Sequence, residues 1–261
     1  DRVYMSKVFT FTADYEYYID ADEIIKGGTG YFYPDGGNPL SDEIEHIYPD
    51  YSIYYEKLPC VKDTAYGFLT RGCPRGCNFC IVGDKEGRCS VKVADLSEFW
   101  NGQKNIVLLD PNMFACRDWK DLSKQLICSG AWIDFSQGCD IRIMTEEKAE
   151  CLKQMKIKQI HFAWDRYEDK DIIVPKFKRF AELSGWGYRK MTVYCLCNFN
   201  TTFEQDLERI YTLRDLGYSP YVMLYGKEKI PAGHRLRQLQ RYVNSRVIFR
   251  SCDNFEYYKK M

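Results

Sequence analysis

The chain has 261 residues, 45% hydrophobic and 28% charged, with 37 basic side chains balancing 37 acidic ones. That length suits one α/β domain, or one domain with a small appendage. A mean hydropathy of −0.45 and the lack of any apolar run of about 18 residues exclude a membrane span, and zero net charge argues against a grip on long nucleic acid.

The first sixty residues read as an extension. Residues 3–10 are strand-like, residues 21–25 are a short apolar piece, and Gly27, Gly28 and Gly30 form a flexible turn around Thr29. Tyrosines are dense here, and Pro34, Gly36, Gly37 and Pro39 mark a loop. The segment is too short and irregular to build its own core. It is expected to drape over a main domain, residues 61–261, and cover a sheet edge.

From residue 64 the pattern alternates. Strands are predicted at 65–70, 105–109, 132–135, 140–144, 159–163, 191–196, 221–224 and 247–249. Helices are predicted at 93–100, 118–129, 146–155, 172–184, 203–216 and 235–243. Alternation of this kind builds a parallel sheet with right-handed crossovers, the α/β class.

Twelve cysteines are many for this length. With no leader visible, they read as thiols of a reducing cytoplasm, most of them buried as small hydrophobes. Cys73, Cys77 and Cys80 differ, because they share one loop, Arg71-Gly72-Cys73-Pro74-Arg75-Gly76-Cys77-Asn78-Phe79-Cys80. Four thiolates would saturate a 4Fe–4S cube, whereas three leave one iron open to an outside ligand. Zinc usually needs a fourth protein ligand. No His lies in the loop, and Cys60 and Cys89 lie outside it. The loop follows a strand, which places it at the C-terminal end of the sheet, where α/β active sites sit.

Through Cys73, Cys77, Phe79, Cys80 and the β/α repeat after them, the chain resembles the radical S-adenosylmethionine superfamily. The resemblance covers roughly residues 64–250 and implies a partial (β/α)6 barrel, open on one side, with a short N-terminal extension. It implies a 4Fe–4S cluster on the three thiolates, with S-adenosylmethionine held on the open iron by its amino and carboxylate groups. Electron transfer from the cluster would cleave the sulfonium and give a 5′-deoxyadenosyl radical that removes a substrate hydrogen. An external electron donor such as flavodoxin or ferredoxin is implied as a partner. Phe79 matches the aromatic residue that lies beside the adenine. The family's second strand often ends in Gly-Gly-Glu, and here it ends Leu109-Asp110-Pro111-Asn112, a departure. Asp110 or Asn112 is left to meet the methionine ammonium, although Asp110 also reads as a helix cap. Arg142 is placed to meet the carboxylate or to pair with Asp140.

Residues at strand C-termini would line the mouth of such a barrel: Gln137, Trp164, Asp165, Asn198, Asn200, Tyr225 and Arg250. Amides, a carboxylate and rings suit a small, planar, polar heterocycle. Residues 138–142, 161–165, 198–202 and 249–252 resemble a compact subgroup of the superfamily that acts on the 7-deazaguanine base queuine. That likeness implies a lyase reaction, C–N cleavage that releases 7-aminomethyl-7-deazaguanine. Residues 22–33, 40–45 and 49–51 resemble the tail of a cobalamin-binding domain, far too short to hold cobalamin and so read as a remnant. Two alternatives stay open: a radical activase or peptide-modifying enzyme, and a non-catalytic zinc-binding interaction module. His161 reads as a core histidine and His46 as a surface one.

Overall fold

The computed structural model describes residues 1–258, the side chain of Cys60 apart. Its strands are β1 (Arg2–Ser6), β2 (Glu23–Gly27), β3 (Thr64–Gly67), β4 (Thr70–Arg71), β5 (Val91–Lys92), β6 (Asn105–Leu108), β7 (Trp132–Cys139), β8 (Lys156–Ala163), β9 (Met191–Cys197) and β10 (Ser219–Leu224). Its helices are α1 (Asp42–Glu45), α2 (Val82–Lys85), α3 (Trp119–Ser129), α4 (Glu146–Lys153), α5 (Lys170–Ser184), α6 (Phe203–Asp215), α7 (Arg235–Asn244), α8 (Arg246–Ser251) and α9 (Phe255–Tyr258).

Six strands form one parallel sheet in the order β3-β6-β7-β8-β9-β10. The order never reverses, so crossovers of one hand place α3 to α6 on a single face. Alternation along the strands decides which side chains meet those helices. Ile106, Leu108, Ile133, Phe135, Ile160, Phe162, Val193 and Val222 point into the helix layer and are buried. Phe162, for instance, meets Phe177 and Phe180 of α5 and Tyr218 edge-on, a burial that contributes about 1.5–3 kcal/mol per ring. The opposite face carries Asp134, Ser136, Gln159, His161, Thr192, Tyr194, Tyr221 and Met223. It keeps part of its surface open, with Tyr221 44% and Met223 37% exposed.

The helices start and stop where local chemistry directs. Thr145 caps α4, and Thr202 with Gln205 forms a capping box on α6. α3 and α5 end at Gly130 and Gly185, whose φ of 62° and 65° are left-handed values that suit glycine.

Side chains close both edges of the sheet. Val222 of β10 donates its N–H to Asn244 Oδ1 (2.8 Å), while its carbonyl accepts from Asn244 Nδ2 and Gln240 Nε2 (both 3.0 Å). Asn244 thus pairs with β10 as a neighbouring strand's peptide would, and Pro220 fits the same edge strand because it offers no N–H. At the other edge the hydroxyl of Tyr51 accepts from Tyr66 N–H (3.0 Å) and meets the Phe99 carbonyl (2.9 Å). Asn244→Ala is expected to destabilise the protein by about 1–3 kcal/mol, the cost of unpaired strand groups, and to promote edge association. Urea midpoints and light scattering check both effects, and an unchanged midpoint would contradict the edge account.

Several expected elements take another form. Residues 140–144 do not make a strand: β7 runs on to Cys139 with a register shift after Phe135, and Ile141–Ile143 is a 3-10 turn capped by Asp140. Residues 247–249 lie in α8, whose first turn Ser245 caps. The helix expected at 93–100 shrinks to the 3-10 turn Leu96–Glu98. The strand expected at 65–70 splits, because β4 leaves the parallel sheet and pairs antiparallel with β5. Near the N-terminus β1 and β2 form a separate two-stranded parallel pair. Among the described residues no helix is long and apolar enough to cross a membrane.

Candidate functional site

The C-terminal ends of the strands gather the chemistry. β4 leads into the cysteine loop, which folds back on residues 86–89. Gly72 makes the fold-back feasible: its φ is +83°, and a Cβ there would stand 2.1 Å from the Cys89 carbonyl oxygen. Cys73 N–H donates to the Gly87 carbonyl (3.1 Å) and Cys80 N–H to the Cys77 carbonyl (3.0 Å). All three thiols are free, Cys73 and Cys77 half-buried and Cys80 exposed. Burial pushes the Cys77 and Cys80 thiols up, and the charges of neighbouring cysteines and of Asp165 add to it. Metal uptake by these thiols must therefore release protons.

Three thiols on one loop are the donor set that a cluster with one open iron would take. Among the described residues no group of three or more His, Cys, Asp or Glu is drawn tightly enough to hold one metal ion. Zinc needs four ligands about 2.0–2.3 Å from one centre. Asn112 lies against the loop with a polar atom to spare. It is 1% exposed, its Nδ2 donates to Cys73 Sγ (3.7 Å), and its buried Oδ1 has no partner. Buried amide oxygens rarely go unpaired.

Asp110 stands close by in a different role. Its carboxylate accepts from Leu69 N–H (3.1 Å), Thr70 N–H (2.6 Å) and the Thr70 hydroxyl (2.7 Å). It ties β6 to the start of the cysteine loop, and is neither a helix cap nor open to a ligand. Burial pushes its carboxyl up to about 6, against the pull of those hydrogen bonds.

A cavity of about 460 Å³ opens beside the loop, walled by Arg75, Cys77, Phe79, Arg142, Phe199 and Asn200 among others. Arg142 stands in the turn after β7, donating to Asp140 (2.7 Å) and Asp169 (2.8 Å), and Arg75 donates to the other Asp140 oxygen. The expected Arg142–Asp140 ion pair is present, and three of the five guanidinium N–H groups of Arg142 remain. Phe79 packs on Phe199 (5.1 Å) and Phe199 on Tyr225 (4.8 Å), both edge-on. This aromatic column links the cysteine loop to the ends of β9 and β10.

Not every expected substrate residue reaches this mouth. Asp165 is held by Leu196 N–H (3.1 Å), and burial pushes its carboxyl up. Gln137 is exposed on β7, and Asn200 walls the cavity. Asn198 is committed to the backbone, donating from Nδ2 to the Tyr225 carbonyl (3.1 Å) and from N–H to Asp206 (3.2 Å). Trp164 is 1% exposed. Its ring packs near Phe177 and its Nε1 donates to the Arg166 carbonyl, so it belongs to the core. Arg250 is on α8, stacked on Tyr188 and donating to the Tyr218 carbonyl. That carbonyl precedes β10, so Arg250 stands at the opposite end of the sheet.

Arg75, Asp169 and Phe199 also wall this cavity, and none of them belongs to the residues expected there from the sequence. Phe199 had a readable signal, since Asn198 and Asn200 flank it with φ of 65° and 54°. Asn tolerates that left-handed region, so the pair marks a turn that turns out the ring between them. No protein-family model matches the chain and no curated protein matches it.

Proposed function

We propose that the chain is a radical S-adenosylmethionine enzyme, with a 4Fe–4S cluster on Cys73, Cys77 and Cys80 and a small, polar heterocycle as substrate. The observation that carries this reading is the setting of the thiols. Three free thiols share one loop at the C-terminal end of a sequential six-stranded parallel sheet, beside a cavity large enough for a cofactor-sized ligand. In this reading the sheet is the wall of a partial (β/α)6 barrel and its face opposite α3 to α6 is the lumen.

When bound, the cluster and S-adenosylmethionine supply a 5′-deoxyadenosyl radical that removes a hydrogen atom from the substrate. The chain's own residues bind and orient. Asn112 offers its unpartnered Oδ1 to the methionine ammonium. Arg142 offers its remaining donors to the carboxylate, its position fixed by Asp140 and Asp169. Phe79, braced by Phe199, gives the adenine a flat apolar wall. Asn200, in the cavity wall, presents an amide to the remaining polar groups. Cys80 is exposed, so an external donor such as flavodoxin or ferredoxin can deliver an electron close to the loop.

The first substrate to test is queuine, with C–N cleavage to 7-aminomethyl-7-deazaguanine. Protein reconstituted without oxygen is incubated with S-adenosylmethionine, dithionite and queuine. The expected result is 5′-deoxyadenosine together with loss of queuine. Absence of 5′-deoxyadenosine with any substrate would sink the radical reading, and 5′-deoxyadenosine with queuine intact would sink the substrate.

A further inference from the structure

The face of the sheet opposite α3 to α6 holds a polar group that none of the roles above uses. His161, 8% exposed, lies there near the C-terminal end of β8, its Nδ1 donating to the Phe135 carbonyl (2.9 Å). That bond fixes the tautomer and leaves Nε2 as an acceptor. The Asp134 carboxylate stands 3.7 Å from the same Nδ1, too far for a hydrogen bond. Its Oδ1 is enclosed and has no partner, yet its side chain keeps 20% exposure, so the carboxylate also opens on the face.

Aromatic rings frame the pair. Tyr194 lies parallel to the imidazole (5.1 Å, 7°), and its hydroxyl donates to the Ser136 carbonyl (2.9 Å). The ring is thereby pinned across three strands. Tyr221 meets Tyr194 edge-on (5.9 Å) and is itself 44% exposed. Below, Thr192 is engaged by Gln159 (2.8 Å) and by Arg246 of α8 (3.3 Å). Burial holds the imidazole below its usual range, which keeps it neutral.

We infer that Asp134 and His161 are the recognition pair of the substrate site and select a planar heterocycle that presents adjacent N–H donors on one edge. A carboxylate and a neutral imidazole acceptor together call for donors, and the rings of Tyr194 and Tyr221 supply a flat surface for stacking. A 2-aminopyrimidinone edge, with a ring N–H beside an exocyclic amine, has that chemistry. An adenine edge sets an acceptor beside its amine and would meet acceptor with acceptor. The inference rests on the radical reading and names the substrate class for that site.

The test uses the reconstituted protein with S-adenosylmethionine, and measures binding of queuine, guanine and adenine by equilibrium dialysis. 5′-Deoxyadenosine formed with dithionite in the absence of substrate is measured in parallel. Queuine and guanine are expected to bind, with adenine about tenfold weaker or worse. Asp134→Asn and His161→Gln should each weaken queuine about tenfold, the loss of one strong hydrogen bond, and leave 5′-deoxyadenosine formation without substrate within about twofold. Variants that keep full affinity, or wild-type protein that binds adenine as well as guanine, would overturn the inference. Protein that makes 5′-deoxyadenosine and binds none of the three bases overturns it alone. Protein that takes up no iron overturns the radical reading with it.

Discussion

Cys77→Ala is expected to lose its iron and, with it, all cleavage of S-adenosylmethionine. The loop offers three thiols and no fourth donor, so two cannot hold a cube that needs at least three protein ligands to leave one open iron. The same loss is expected for Cys73→Ala and Cys80→Ala. Cys89→Ala separates the cluster from zinc. Cys89 abuts the loop through its carbonyl against Gly72, and it is the nearest thiol in sequence able to complete a four-ligand zinc site. Iron and sulfide content after reconstitution is the measurement. Retention of iron in Cys77→Ala, or loss of metal in Cys89→Ala, would contradict the three-thiolate assignment.

Arg209→Met should be the most destabilising change away from the cysteine loop, by about 3–5 kcal/mol. Arg209 is fully enclosed on α6. It pairs with Asp206 and donates to the carbonyls of Trp164 and Leu196, at the ends of β8 and β9. Asp206 in turn accepts from Asn198 N–H (3.2 Å). Without the guanidinium, Asp206 becomes a buried charge with no counter-ion and two carbonyls lose their donor. Asp165 and Asn200 lie on the segments this pair anchors, so substrate affinity should fall as well. The double variant Arg209→Met/Asp206→Leu should recover part of the stability, because it removes the orphaned charge. Urea midpoints of the two variants measure this, and a single-variant loss below about 1 kcal/mol would show that the pair is not holding the strand ends.

The strand and helix alternation was legible because most strands run apolar toward a helix layer, as Ile160 and Phe162 do. The cysteine loop was legible because its chemistry is local. What failed was set by tertiary contacts. Residues 247–249 are β-branched and aromatic, yet Ser245 caps them into α8 and Phe249 packs on Tyr242. Residues 140–144 look like a strand, but Asp140 bonds the N–H of Arg142 and bends the chain, while both Arg75 and Arg142 hold its carboxylate. Asp110 looked like a ligand for an ammonium because its hydrogen-bond partners, Leu69 and Thr70, lie some forty positions away and only the fold brings them to it. Asp134 and His161 meet across neighbouring strands, so no spacing in the chain announces their pairing. His161 reads as a buried, satisfied core histidine; it is buried, and Nδ1 is the nitrogen that has a partner.

The electron paramagnetic resonance spectrum of the reduced, reconstituted protein decides whether the proposed three-thiolate cluster keeps an open iron. A reduced 4Fe–4S signal that changes when S-adenosylmethionine is added and is absent in Cys77→Ala is expected. A protein that takes up no iron, or a signal indifferent to S-adenosylmethionine, would contradict it.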